Sequence, residues 1–122
     1  SEDTSKTLLS MLEKVVEDGT STKAAVNGYR IGGKSGTAWK TSGSGGYSTD
    51  RYRSIFAGIA PIDDPRLVAV VFIEEPTGEF YYGGDVAAPV FSEIISQSLQ
   101  LLSIPPQGII TKPDLVADNK ND

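Results

Sequence analysis

The chain has 122 residues, 39% of them hydrophobic, which is enough for one core and one domain. It contains no cysteine and no histidine, excluding disulfides, thiolate metal sites, Ser-His-Asp hydrolysis, cysteine proteolysis and histidine-ligated zinc for this chain acting alone. A net charge of −5 argues against nucleic-acid binding, no run approaches a membrane-spanning length, and the N-terminus lacks the basic-then-apolar order of a signal peptide.

Taken in chain order, Leu8, Met11, Leu12, Val15 and Val16 recur at helical spacing. They predict a helix from Thr4 to Asp18 whose stripe faces the core, with Asp3 or Thr4 as cap and Gly19 ending it in a left-handed conformation. Residues 20–28 have no period and read as a connection. "YRIGGKSGTAWKT", rich in glycine and small residues, suits an edge strand that something must approach closely. "SGSGG" at 42–46 is a loop, and "RYRSIFAGIA" (51–60) and "RLVAVVFIE" (66–74) are strands joined through the turn "PIDDP". The second is apolar on both faces, which predicts a central strand covered on two sides. From Val86 to Ser103 a second helix places Val90, Phe91, Ile94, Ile95, Leu99 and Leu102 on one face, with Pro89 in its first turn. The expectation is an α+β domain over 1–104, a three-stranded antiparallel meander flanked by N- and C-terminal helices, followed by a loose tail at 105–122. No cofactor and no metal are expected.

Charge is unevenly spread. Between Lys23 and Arg53 stand six basic residues (Lys23, Arg30, Lys34, Lys40, Arg51, Arg53) and one acid, Asp50. The same stretch holds "GYRIGGKSGT", which satisfies two motifs. Gly28 to Ser35 fits G-x-x-x-x-G-K-[ST], the phosphate-binding loop, and Lys34 to Thr37 fits K-[ST]-G-T. A phosphate loop must join a buried strand to a helix, and "TSTKAAVN" before and "GTAWKTSGSGG" after supply neither. The second motif asks for a strand, which the flanks do supply. Alternation then puts Lys34 and Gly36 on one face and Ser35 and Thr37 on the other, with twist at Gly36 bringing charge and hydroxyls round one groove.

Three longer stretches, "GTSTKAAVNGYRIGGKSGTAWK", "YRSIFAGIAPIDDPRLVAVVFIEEP" and "YYGGDVAAPVFSEI", are more specific than the tetrapeptide. With them the chain resembles the C-terminal part of the transpeptidase domain of class B penicillin-binding proteins, of the division-specific type. The resemblance implies a place in a larger fold with a five-stranded sheet. It implies a peptidoglycan D,D-transpeptidase that works through a serine acyl-enzyme, is acylated by β-lactams, and binds stem peptides ending in D-Ala-D-Ala. It implies further that Lys34 supplies positive charge to the cleft, and that the hydroxyls of Ser35 and Thr37 bind the substrate carboxylate. The N–H of Thr37 would be an oxyanion donor, and Gly36 would let the acyl donor lie alongside the strand. Tyr81 and Tyr82 would form an aromatic wall, with Tyr47 approaching from the strand-connecting loop. The resemblance places the parent on the periplasmic side of the bacterial inner membrane among division-complex proteins.

Two departures accompany it. Relatives often carry Lys or Arg after "GTA", where this chain has Trp39; Lys40 is expected to compensate in part. More importantly, no serine here begins S-x-x-K and no asparagine ends S-x-N. The nucleophile is therefore expected on the remainder of the domain, and a chain opening at Ser1 without Met is expected to be a processed piece or an excerpt. A penicillin-binding sensor domain of a signalling protein would use the same wall, and stays open as an alternative.

Overall fold

The computed structural model describes residues 1–107, apart from the side chains of Ser48 and Thr49. Of the expected tail, 108–122 lies outside the described residues. The elements are α1 (Glu2–Glu17), a 3-10 turn at Thr22–Ala24, β1 (Gly32–Thr41), β2 (Tyr47–Ala60), β3 (Leu67–Glu74), α2 (Gly83–Val86) and α3 (Ala88–Leu101). The strands form one antiparallel sheet in the order β1-β2-β3, so the expected α+β meander with flanking helices is the fold found. The register sets Gly33 beside Gly58, Thr37 beside Ser54 and Phe56 beside Val71.

Helix α1 begins earlier than its apolar pattern because Ser1 caps it, its hydroxyl accepting the Thr4 N–H at 3.2 Å, in place of the expected Asp3 or Thr4. Gly19 does not take the left-handed conformation that would have made it a C-cap. It is needed for space, since a Cβ there would lie 2.7 Å from the Val15 carbonyl oxygen. The expected core-facing stripe holds only near the helix end: Val16 is buried, but Leu8 and Met11 are exposed at 55% and 61%. The helix lies against β1 at its beginning, where a Cβ on Gly32 would come 3.2 Å from the Glu13 amide nitrogen. There Glu13, itself buried, takes both Nε and Nη2 of Arg30 at 2.7 and 2.8 Å. The guanidinium holds the Glu13 carboxyl below its usual range, against the opposing effect of burial.

Alternation along β2 divides the sheet into two faces. Ser54, Phe56, Gly58 and Ala60 are buried, and with Val71 of β3 they face α3, where Phe56 meets Phe91 edge-on at 4.8 Å between ring centroids. Gly58 is glycine because a Cβ would run into the Phe91 ring. The apolar stripe of α3 is narrower than expected: Phe91, Ile95 and Leu99 are buried at four-residue spacing, while Val90, Ile94 and Leu102 are exposed. On the opposite face Ile55, Ala57 and Ile59 are half-buried and Val68, Val70 and Phe72 are exposed. Thus β3, expected as a central strand covered twice, is an edge of the sheet among the described residues with one apolar face open. Beyond α3, Tyr29 donates its hydroxyl to the Ile104 carbonyl at 2.6 Å and Gln107 its N–H to that of Gly28 at 2.7 Å.

Candidate functional site

Ser35 lies in the middle of β1, which runs on to Thr41, so no helix opens after it and the phosphate-loop reading falls. At the other edge of the sheet, β1 and the segment Tyr82–Asp85 enclose a cleft of about 390 Å³ lined by Lys34, Ser35, Gly36 and Thr37 together with Thr20 and Gly83. Lys34 and the hydroxyls of Ser35 and Thr37, from opposite strand faces, thus line one groove.

What positions the groove is a pair of glycines outside the K-[ST]-G-T motif. A Cβ on Gly83 would fall well inside van der Waals contact of the carbonyl oxygens of Ile55 and Gly36, and one on Gly84 would strike the Thr20 carbonyl. The backbone of "YYGGD" is wedged directly onto β1, β2 and the segment before the 3-10 turn. From this wedge the Gly83 N–H donates to the Thr37 hydroxyl at 3.1 Å. Because that oxygen already accepts, its own hydrogen is left to donate to a ligand acceptor. The Ser54 hydroxyl, buried, donates to the Tyr81 carbonyl and ties the wedge to β2. On the far side Lys23 pairs with Asp85 at 2.7 Å, and the Thr20 and Ser35 hydroxyls stand 3.5 Å apart.

The local positive stretch is mostly neutralised. Arg30 pairs with Glu13, Lys23 with Asp85, Lys40 with both Glu74 and Glu75, Arg53 with Glu74 and Arg51 with Glu75. Among the described residues Lys34 differs from the other five: its ammonium meets the Ser35 carbonyl at 2.7 Å and no carboxylate. A basic stretch six residues strong in the sequence therefore reduces to one ammonium at the cleft wall, suited to an anionic ligand. Lys40, expected to offset the departure at Trp39, is taken up by Glu74 and Glu75 at 2.9 and 2.7 Å.

Of the aromatic residues, Tyr82 lines the cleft and Tyr81 does not. Tyr81 is stacked between Tyr52, with ring centroids 4.1 Å apart, and Tyr82 at 4.5 Å. The Tyr81 hydroxyl beside it pushes Tyr82 above the ordinary tyrosine value. Tyr47 stands apart, on a separate hollow with Ala38 and Trp39. Sequence reasoning missed Gly83, Gly84, Tyr52 and Asp85; the doubled glycine after two tyrosines was the available signal for the first two. Among the described residues no group of His, Cys, Asp and Glu could hold a metal ion.

Comparison with known proteins points the same way. A family model described as the penicillin-binding protein transpeptidase domain matches residues 1–96. The chain is 49% identical over 112 residues to a Pseudomonas aeruginosa protein named "Probable peptidoglycan D,D-transpeptidase PbpC", covering 91% of this chain and 20% of that one. It superimposes on the apo transpeptidase domain of Burkholderia pseudomallei penicillin-binding protein 3 with a TM-score of 0.76 and 48% identity, over 84% of this chain and 31% of the other. For Mycobacterium tuberculosis penicillin-binding protein 3 complexed with ampicillin the TM-score is 0.79 at 33% identity, over 91% of this chain and 26% of that one. The chain thus spans about a fifth of the length of its Pseudomonas relative.

Proposed function

The chain belongs to the penicillin-binding protein transpeptidase domain family, and from that membership we propose that it forms the substrate-binding wall of a peptidoglycan D,D-transpeptidase. The observation that carries the proposal is the cleft at the β1 edge, where Lys34, Ser35, Gly36 and Thr37 converge and the Thr37 hydroxyl is oriented by the Gly83 N–H. In this reading Ser35 and Thr37 donate to the terminal carboxylate of a stem peptide ending in D-Ala-D-Ala, and Lys34 supplies the compensating charge. An edge strand leaves alternate N–H groups pointing away from its partner, and that of Thr37 serves as an oxyanion donor. Gly36 leaves the strand edge clear for the donor to lie beside it: a Cβ there would meet nothing nearer than Ile55 Cβ at 3.9 Å, so packing alone does not demand glycine. Tyr82, backed by Tyr81, forms the aromatic side.

The nucleophile comes from the remainder of the domain, since this sequence has neither S-x-x-K nor S-x-N. Its serine oxygen bonds to the carbonyl carbon of the penultimate D-alanine, the peptide C–N bond breaks, and the departing D-alanine amine takes the proton. The amine of a second stem peptide then attacks the ester, forming the cross-link and returning the proton to serine. A β-lactam enters by the same attack, but its ring nitrogen stays tethered after the C–N bond opens. The open apolar face, with Val68, Val70 and Phe72 of β3 and with Leu8 and Met11 of α1, is where that remainder packs. The work is done on the periplasmic side of the inner membrane, with division proteins as partners.

The test is labelling by fluorescent penicillin of this chain alone and assembled with a polypeptide bearing S-x-x-K. Label on the partner, only in the assembly, is expected, and Thr37→Val, which removes the carboxylate-binding hydroxyl and keeps the backbone N–H, should slow it by about ten- to a hundredfold, the scale of a lost hydrogen bond to a charged group. Label on neither polypeptide would end the proposal.

A further inference from the structure

Four aromatic rings run without interruption from the cleft to the outer end of β1. Tyr82, which lines the cleft, touches Tyr81; Tyr81 stacks on Tyr52; and Tyr52 meets Trp39 at 5.0 Å between ring centroids, tilted by 58°. Strand alternation puts Trp39 on the same face as Ser35 and Thr37, and two strand residues carry it about 6.8 Å beyond Thr37. There its ring, half exposed, forms an open apolar hollow of about 520 Å³ with Ala38 and Tyr47. A ligand whose carboxylate sits on Ser35 and Thr37, and whose chain runs along the β1 edge, therefore passes from a hydroxyl-lined to a ring-lined surface.

The electrostatics of that outer end are as informative as its rings. Lys40 bonds Glu74 and Glu75 at 2.9 and 2.7 Å, Arg53 bonds Glu74 at 2.5 Å, and Arg51 lies 3.8 Å from Glu75. Lys40, next to Trp39 in β1, and Arg51 and Arg53, on either side of its cross-strand partner Tyr52, are already matched by carboxylates. An anionic group arriving there would give up its water without gaining a new counter-charge, whereas an uncharged ring would gain stacking and burial.

Resting on the reading of the cleft as a substrate-binding wall, we infer that Trp39, with Tyr47 as second wall, is a specificity-determining subsite that selects donors bearing an uncharged aryl or apolar side chain over donors bearing an anionic one. The bland role for Trp39 is to cover Tyr52, and the two roles make different predictions. If Trp39 only packs, its loss disturbs all ligands alike. If it selects, its loss changes their ratio.

The experiment uses the full-length transpeptidase that carries this chain and measures second-order acylation rate constants for two penicillins sharing one nucleus. One bears a phenylacetyl side chain and the other the same side chain with an α-carboxylate. The parent protein should favour the uncharged compound. Trp39→Ala should slow it about tenfold while leaving the carboxylate compound within about twofold, as expected for loss of one ring contact. Trp39→Phe should keep most of the preference, Trp39→Arg should reverse it, and Tyr47→Ala should shift the ratio the same way as Trp39→Ala but less. Acylation whose ratio is unmoved in Trp39→Ala, whether both rates fall or neither does, overturns the inference and leaves the cleft reading standing. No acylation by either compound overturns both.

Discussion

The two faces of the sheet share the same strands and differ in how they are finished. On one, Phe56, Ala60 and Val71 close against Phe91, Ile95 and Leu99 of α3, and nothing more is needed. On the other, Ile55, Ala57, Val68, Val70 and Phe72 are as apolar but only the beginning of β1 is covered, by α1. A strand's residues are set by what each face is suited to meet, so β3 reads as twice covered although one of its faces is open among the described residues. The largest effect should come from testing that difference. Phe91→Ala should cost about 3–5 kcal/mol in urea unfolding, the range for emptying a fully buried aromatic position. Phe72→Ala should change the stability of the isolated chain by less than about 0.5 kcal/mol, the ordinary value for an exposed position. Equal losses would break the comparison. In the full-length protein the Phe72 substitution should become costly, and a cost that stays negligible there would show that nothing packs on this face.

A second contrast divides two glycines in one cleft. Gly83→Ala forces a methyl group into the carbonyl oxygens of β1 and β2, so the wedge must lift. A loss of about 1–3 kcal/mol is expected from overpacking, accompanied by slower acylation as the Thr37 hydroxyl loses its orienting N–H. Gly36→Ala has room, and should leave the melting curve within about 0.5 kcal/mol of the parent. Its acylation rate should nevertheless fall steeply, because in the proposed reading the methyl group stands where the donor lies. A Gly36 variant that is stable and fully active would remove the functional reason for that glycine.

The order of elements, the 42–46 loop and the strand character of the motif were legible because each rests on local chemistry: period, turn residues and glycine spacing. What could not be read locally went astray for a common reason. Leu8 and Met11 look like core and are exposed, and β3 looks central and lies at an edge, because periodicity reports the face a residue is suited to and not whether its cover is present. At the site, Lys34 through Thr37 were identifiable from four adjacent letters. Gly83 was not, since its close approach to Gly36 and Ile55 joins segments about fifty and thirty residues apart in the chain. The basic stretch from Lys23 to Arg53 misled in the opposite sense: the carboxylates of Glu13, Glu74, Glu75 and Asp85 that neutralise it are, apart from Glu13, supplied from after β2.

A smaller effect is expected where the open face is covered. Glu13 takes two bonds from Arg30 and holds α1 over the start of β1. Glu13→Gln should cost about 2 kcal/mol, as for a lost charge-assisted hydrogen bond. The pH dependence follows from sign. The folded-state pKa of Glu13 lies below its unfolded value, so its contribution is complete above the ordinary carboxylate range and disappears as pH falls through the lowered folded value. Unfolding measured from neutral pH downwards should therefore converge for parent and Glu13→Gln as the medium becomes acidic. Parallel curves would show that the pair contributes through packing alone.

The smallest effect lies at the far end of the same face, where Lys40, Arg53 and Glu74 replace the apolar residues. Lys40 and then Arg53, both hydrogen-bonded to it, hold the Glu74 carboxyl below its usual range, so this contribution too is present at neutral pH and lost on acidification through the lowered value. Glu74 and Arg53 are solvent-exposed and Lys40 is half-buried, and their attraction is screened as the Debye length shrinks to about 3 Å near 1 M salt. Lys40→Met, which removes the charge and keeps most of the stem, should lower Tm slightly in dilute buffer and leave it unchanged in concentrated sodium chloride. The Glu13 pair, with its carboxylate buried, should resist the same salt. If both pairs lose their contribution together, the burial that separates the two ends of the open face has no energetic meaning.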